Sequence, residues 1–422
     1  MHGRLTRAYG RRVLEMEQRG GAPIGALGPL ARRARSLADD AEIAGAALRV
    51  TSSAKLSRRL GGEVLWIVGA GSEADGGRTR GEGALGGLRL DRVHAAMVGG
   101  ELDDEPHVPA LAHRLAGSRV RMCPPETLLH AVVPATHVDV TQPDAVMALC
   151  DAAGGERLAQ ACFAETAAWL PYEMSGAALA RELGRAAATP GVRLALLARR
   201  GLVTWAETPE ACHAATVAAV VRARTFLAAA GDAPCRGGTA LAPLRTRERA
   251  RLLARLLPVV RSALGSRRPK VVEVDTTPAV LDFVCTRDAP TLAKAGPVCP
   301  QQVAHTQRAP LWIDLDPRCD DAGDLAERVV RGARRHRAQV RWEAAAFGGC
   351  EGTTLDPDAR VVLIAGVGMV AAGATRTEAH RARCAYGRAI RALSAATALD
   401  RFVAPNVPEC CAFERALAGN LT

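Results

Sequence analysis

The stretch from Cys123 to Cys150 constrains the rest of the chain most. Glu126 and His130 stand four residues apart, so a helix over Thr127–Val133 puts a carboxylate and an imidazole on one face. The period then changes. His137-Val138-Asp139-Val140 alternates as a short strand, and Pro143-Asp144 opens a second helix running to Cys150. Helix, strand and helix within 28 residues is the pattern of a layered α/β protein, and the Glu126/His130 pair beside the strand has the layout of a cleft enzyme.

The same alternation continues on both sides. Residues 1–50 carry Ala and Leu at helical spacing between Ala26 and Ala47 and read as a helical segment. Ser52–Ser57 leads into Glu63–Val68, a buried strand, and Gly69-Ala70-Gly71-Ser72 follows at once. Glycines let backbone N–H groups approach an anion, so Gly69, Gly71 and Ser72 are candidate phosphate contacts. A plain turn is the competing reading, because Glu73 and Asp75 stand where phosphate would sit. Leu85–Met97 reads as a loop and then a short helix, Gly155–Phe163 as a helix, and Ala168–Tyr172 as a strand. Gly176–Ala188 is amphipathic, with Leu179, Leu183 and Ala187 along one face. Leu194–Leu197 and Leu202–Trp205 form a hairpin about Ala198-Arg199-Arg200-Gly201. Thr208-Pro209-Glu210 then starts a long helix to Ala230, with proline where the missing N–H costs nothing.

Gly231–Ala242, with Pro234, Gly237 and Gly238, is a linker by composition, and Arg249–Leu264 is a helix. A second strand-led region begins at Lys270–Val274. It continues with a helix over Pro278–Val284, a Pro- and Gly-rich loop over Asp288–Ala309, and a charged helix over Asp324–Glu343. Arg360–Ala365 is the clearest buried strand in the chain and runs into Gly366-Val367-Gly368-Met369. A nucleotide site at Gly366-x-Gly368 is a weaker reading, since the third glycine and the following acidic residue are missing. Thr375-x-x-Glu378 has capping-box spacing for a helix over Glu378–Ala396.

Composition narrows the function classes. At 422 residues and 48% hydrophobic content the chain can bury two or three cores, and no run approaches the roughly 20 apolar residues of a membrane span. The N-terminus lacks the apolar centre of a secretory signal. We therefore expect a cytoplasmic protein, with a transit-type leader the other reading of the Arg-rich first 36 residues. The twelve cysteines are scattered through apolar patterns, without CxxC, and read as reduced buried thiols. Cys410-Cys411 has no histidine at ligand spacing, which argues against structural zinc. The net charge of +11 is carried by dispersed arginines with only 3% aromatic residues, so no nucleic-acid surface is expected. Arg331-Gly332-Ala333-Arg334-Arg335-His336-Arg337, the densest basic cluster, reads as a solvated helix face.

From Pro125-Glu126-Thr127-Leu128-Leu129-His130 onward the chain resembles the class II aldolase/adducin family. The likeness is to the aldolase half of bifunctional rhamnulose-1-phosphate aldolase/alcohol dehydrogenases. It takes in Val64–Ser72, His137–Cys150, Gly155-Glu156-Arg157-Leu158-Ala159, Trp169-Leu170-Pro171-Tyr172 and Gly201–Trp205. Beyond the linker it continues through Arg287-Asp288-Ala289-Pro290, Gly296–Pro300, His305–Trp312 and Val361–Met369. The resemblance implies an α/β/α sandwich with a central, mainly antiparallel sheet over 51–230 and a smaller α/β region over 270–422. A helical segment over 1–50 and a linker with its helix over 231–269 complete this division. It also implies a homo-oligomer and, since the chain stops at Thr422, no dehydrogenase half.

Members of that family cleave a phosphorylated ketose with a divalent cation, usually zinc, held by three histidines, while a glutamate moves protons. Glu126 matches the acid/base glutamate and His130 the histidine one turn later. The family's His-x-His falls on Val140-Thr141-Gln142 and its Asn-His-Gly on Arg199-Arg200-Gly201; Val68 stands at its lysine. Valine has no donor atom, glutamine offers a neutral oxygen, and arginine repels a dication by of order 8 kcal/mol at about 4 Å and an effective dielectric near 20. No metal is therefore expected at Val140, Gln142 and Arg200, and no cofactor. Arg199 and Arg200 are candidate contacts for a small anionic or sugar-phosphate ligand. The resemblance thus implies a member that keeps the fold without the chemistry, as adducin does. The alternative is an active lyase with a rebuilt site for zinc or another divalent cation.

Overall fold

A computed structural model of the chain describes residues 47–57, 63–69, 85–99, 126–173, 176–230, 237–316, 321–347 and 356–419. They fall into two units, one drawn from Met1–Cys150 and Gly155–Phe226, the other from Asp151–Gly154 and Leu227–Thr422.

The first unit runs β1 (Ala47–Ser57), β2 (Glu63–Gly69), β3 (Leu85–Arg89), α1 (Leu90–Val98), α2 (Thr127–Val132), β4 (His137–Pro143), α3 (Asp144–Cys150), α4 (Gly155–Phe163), β5 (Ala167–Leu170), α5 (Gly176–Ala187), β6 (Leu194–Leu197), β7 (Gly201–Ala206) and α6 (Pro209–Ala229). Its seven strands are ordered β3-β2-β1-β4-β7-β6-β5, and only β5–β6 is parallel. Residues directly opposite on paired strands share a face. Val140 lies opposite Val203, and Val203 opposite Ala195, so these side chains form one row. That face buries Val138, Val140, Val203 and Leu197 against Leu128 and Leu129 of α2 and Leu179 and Leu183 of α5. The other face carries Asp139 and Thr204, which meet Cys212 and Thr216 of α6. Helices thus cover both faces of a mainly antiparallel sheet.

Two local expectations change. Ala47–Val50, expected in a helix, are the first residues of β1. Leu85–Arg89, expected as a loop, is strand β3. Gly86 and Gly87 lower the local strand propensity, but they sit opposite Ile67 and Trp66 of β2, whose backbone supplies the pairing. The rest of the helical reading of residues 1–46 lies outside the described residues.

The second unit runs α7 (Thr246–Ala263), β8 (Val271–Asp275), α8 (Pro278–Val284), α9 (Ala289–Ala295), α10 (Val303–Thr306), β9 (Leu311–Ile313), α11 (Ala322–Ala346), β10 (Val361–Ile364), β11 (Gly368–Gly373), α12 (Arg376–Leu399) and α13 (Val407–Gly419). Its sheet is ordered β8-β11-β10-β9 with β9 and β10 parallel. One core packs Leu311, Ile313, Val362 and Ile364 against Leu256 and Val260 of α7 and Leu325 and Val329 of α11. Thr375 caps α12 by accepting from the Glu378 N–H at 3.2 Å. The Glu378 carboxylate reaches back to the N–H of Ala374, one residue before the cap, at 2.8 Å.

The segment Asp288–Ala309, read as a loop from its prolines and glycines, contains α9, α10 and a short 3-10 turn at Pro300–Gln302. Position outweighs composition here: Pro290 stands in the first turn of α9 and Gly296 ends it at φ +137°. Gly366-x-Gly368 closes the β10–β11 hairpin, with positive φ at both glycines, instead of joining a strand to a helix. That geometry removes the nucleotide reading. The basic run on α11 is only partly solvated: Arg331 is exposed, whereas Arg337 turns inward to Asp358 at 2.8 Å and to the Ala263 carbonyl at 2.8 Å. Among the described residues no helix is long and apolar enough to cross a membrane.

Candidate functional site

Glu126 stands at the N-cap of α2, and the N–H of His130 donates to its carbonyl at 3.2 Å. Both side chains are buried, at 5% and 0% exposure. His130 Nδ1 lies 2.8 Å from Ser53 Oγ on β1, which fixes the imidazole against the sheet. Ser53 is opposite Val138, four residues along β4 from Gln142, a separation of about 13 Å at the usual strand rise.

Around the β6–β7 turn the structure does gather predicted residues. Arg199 adopts φ +57°, an uncommon region for a side chain larger than glycine, and its N–H donates to the Cys150 carbonyl at 3.2 Å. Arg200 N–H donates to the Leu197 carbonyl at 2.9 Å, closing the turn. The Gln142 side-chain amide donates to the Arg200 carbonyl at 3.1 Å. Gly201 at φ +114° is obligatory, because a Cβ there would lie 2.4 Å from the Thr141 carbonyl oxygen and 3.0 Å from Gln142 Cγ. The Arg199 guanidinium carbon lies 3.7 Å from the centre of the Tyr172 ring and that of Arg200 5.8 Å from it, so two cations share one aromatic ring. Gly69 ends β2 opposite Thr51, which pairs with Val140. Gly71 and Ser72 lie outside the described residues.

The residues that the resemblance sets at metal-ligand positions do not fit a divalent ion. Val140 is packed into the apolar core at 4% exposure, the Gln142 amide is engaged by a backbone carbonyl, and Arg200 is a fixed cation. Among the described residues no group of three or more His, Cys, Asp or Glu is placed to hold a metal ion.

Two polar clusters were not singled out by sequence reasoning. Buried Asp139 accepts from Cys212 Sγ at 3.2 Å and Thr216 Oγ1 at 3.5 Å; its alternation with Val138 and Val140 marks it as facing the other side. In the second unit, Arg308, His336, Glu343, Cys410, Cys411 and Glu414 line a cavity of about 60 Å³. Arg308 donates bidentately to Glu343, with Nε at 3.0 Å, and His336 Nε2 meets Gln307 Oε1 at 3.1 Å. Burial is the main cause of each shift there. It pushes the Glu414 carboxyl up to about 7, lowers His336 to about 4, and holds the Cys410 thiol far above its usual range. These partners come from distant segments, and no local spacing announces them.

Residues 251–414 match the family model described as Aldolase class II, second domain. This second-domain segment begins within α7 and ends within α13. A curated protein of Bacillus subtilis (strain 168), named Uncharacterized oxidoreductase YuxG, is 32% identical over 343 residues, covering 81% of this chain. The chain spans about half (49%) of that relative's length. Among solved structures, the N-terminal class II aldolase domain of a conserved protein from Thermoplasma acidophilum is 22% identical. It covers 47% of this chain and 92% of its own, with a TM-score of 0.39. An aldolase II superfamily protein from Pseudomonas syringae is 14% identical over 48% of this chain and 73% of its own, with a TM-score of 0.32.

Proposed function

We propose that this chain is a class II aldolase-like protein that binds a small anion of the carboxylate or phosphate-monoester class at Arg199 and Arg200, without metal-dependent retro-aldol turnover. The observation that carries this reading is the fate of the three inherited ligand positions. Val140 belongs to the apolar core, Gln142 braces the turn through the Arg200 carbonyl, and Arg200 brings a second guanidinium beside Arg199. Two forked donors over one tyrosine suit a planar or tetrahedral oxyanion. Glu126 and His130 persist as the vestige of an acid/base pair, and the molecule assembles as a homo-oligomer.

The test combines metal analysis with calorimetry. Protein purified without chelator is expected to hold no stoichiometric zinc or manganese. It is expected to bind inorganic phosphate at millimolar or lower concentration and to lose that binding in Arg199→Gln/Arg200→Gln. One metal per chain, removed by chelator together with lyase activity on a phosphorylated ketose, would overturn the proposal in favour of a rebuilt metal site.

A further inference from the structure

Helix α12 presents His380 and Cys384 one turn apart, and Cys384 Sγ lies 3.5 Å from His380 Nε2. On the other side of the ring, Nδ1 lies 3.2 Å from Glu273 Oε2 on β8. Arg383 closes the group. Its Nε donates to the same Glu273 oxygen at 3.0 Å, its Nη1 to Asp275 Oδ2 at 3.3 Å, and its Nη2 stands 3.7 Å from Sγ. Nη2 also stands 3.4 Å from Nδ1, but a guanidinium carries only donors, and the nearer carboxylate places the ring proton on Nδ1. Nε2 is then left as the acceptor for the thiol proton. Nucleophile, base and orienting carboxylate stand in line, with a cation beside the sulfur.

Exposure separates this thiol from the other described cysteines. Cys150, Cys162, Cys212, Cys285, Cys299, Cys410 and Cys411 are buried, whereas Cys384 is half-buried and the His380 side chain is 42% exposed. Burial alone makes a thiol inert, as at Cys162, where it pushes the group up to about 11. Burial works against the Arg383 cation, yet Cys384, Glu273 and Asp275 outweigh it and hold the guanidinium above its usual range.

We propose that Cys384 is a thiol-modification site: a nucleophilic sulfur, assisted by His380 and Arg383, that takes low-molecular-weight disulfides and soft alkylating electrophiles. In the exchange with a disulfide, His380 Nε2 accepts the S–H proton and Sγ attacks one sulfur of the small molecule. The S–S bond breaks, and the departing thiolate takes the proton back from the imidazolium. One mixed disulfide and one small thiol result, with no further oxidant. Glu273 holds the tautomer and stabilises the transient imidazolium, and Arg383 stabilises the thiolate.

Site-resolved mass spectrometry on the full native chain tests this with oxidised glutathione and, separately, iodoacetamide at pH 7. Cys384 is expected to carry the glutathione adduct. It should be alkylated about ten-fold faster in the native chain than the same residue in urea-unfolded chain, and about ten-fold faster than in a folded His380→Asn variant. Arg383→Gln should slow it as well. A native rate at or below the unfolded rate overturns the proposal, and so does a rate unchanged by His380→Asn at unchanged melting temperature. If His380→Asn does not fold, the native-versus-unfolded comparison in the wild-type chain decides alone.

Discussion

Glu414→Gln isolates one of two buried titrations in the second unit that work against each other. The folded chain holds the Glu414 proton up to about pH 7, against an ordinary value of 4.5, chiefly through burial, with Glu343 adding and Arg360 and Arg308 opposing. A carboxyl raised in this way contributes stability that is complete below about pH 4.5 and is lost as pH rises through about 7. His336 is the reverse case. Burial lowers it from 6.5 to about 4, so its contribution is complete above about pH 6.5 and is lost as pH falls toward 4. Between about pH 4.5 and 6.5 the unfolded chain binds one more proton at His336 and one fewer at Glu414, and the two slopes cancel. Each alone is worth about 1.4 kcal/mol per pH unit.

Removing Glu414 should therefore expose the histidine slope: relative to wild type, the stability of Glu414→Gln should rise by roughly 3 kcal/mol from pH 4.5 to 6.5. His336→Gln should show a change of similar size and opposite sign. The readout must report the second unit, so the measurement is native-state hydrogen exchange at the buried β10 amides of Val361–Ile364, corrected for intrinsic pH dependence. Parallel wild-type and Glu414→Gln curves across that window would refute the assignment of Glu414 as a neutral buried acid.

Gly201→Ala should destabilise the first unit by about 2 kcal/mol or more. The positive φ alone costs about 1–2, and the added Cβ meets the Thr141 carbonyl at 2.4 Å. Thermal unfolding by circular dichroism reads it, and an unchanged transition would mean that the β6–β7 turn relaxes freely. Arg308→Met should destabilise the second unit by about 3–5 kcal/mol at pH 7 by leaving the Glu343 carboxylate buried without its cation. Arg308→Met/Glu343→Leu should recover most of that loss. A urea-denaturation double-mutant cycle checks it, and additive losses would contradict the pairing.

What the sequence revealed follows the range of the interactions involved. Val361–Ile364 is an uninterrupted apolar run, buried throughout and followed by the Gly366 turn, so its strand is legible from four residues. Thr208 and Pro209 announce α6, and the Thr208 hydroxyl does accept from the Ala211 N–H at 3.2 Å. Strand β3 was not legible, because Gly86 and Gly87 become strand only through β2. The helices within Asp288–Ala309 were hidden by a composition whose meaning depends on register. At the sites, the i, i+4 spacing of Glu126 and His130 could be read, but Ser53, which fixes the imidazole, lies 77 residues away in sequence. Likewise His380 and Cys384 share a helix turn, while Glu273 joins them only because β8 lies under α12, 107 residues earlier in the chain.

The same physics bears on the proposed loss of the metal ligands. A histidine on a buried strand is satisfied while its ring nitrogen binds a cation. Without the ion, that nitrogen is a buried polar group lacking a partner, at about 1–3 kcal/mol. A valine at the same place has no such demand and adds about 1.5–3 kcal/mol of apolar burial on a β-branched frame suited to the strand. On the proposed reading, Val140 is the residue expected once metal binding is no longer maintained, since it joins Val138 and Val203 in a core already present. Gln142 makes the parallel adjustment by turning its amide onto the Arg200 carbonyl and bracing the turn. The backbone ladder joining β4 to β7 uses none of these side chains, so on that reading the sheet is indifferent to the exchange. The guanidiniums stacked at Tyr172 are then the new element at the turn, and their phosphate affinity is the quantity that decides whether the old position has acquired a new role.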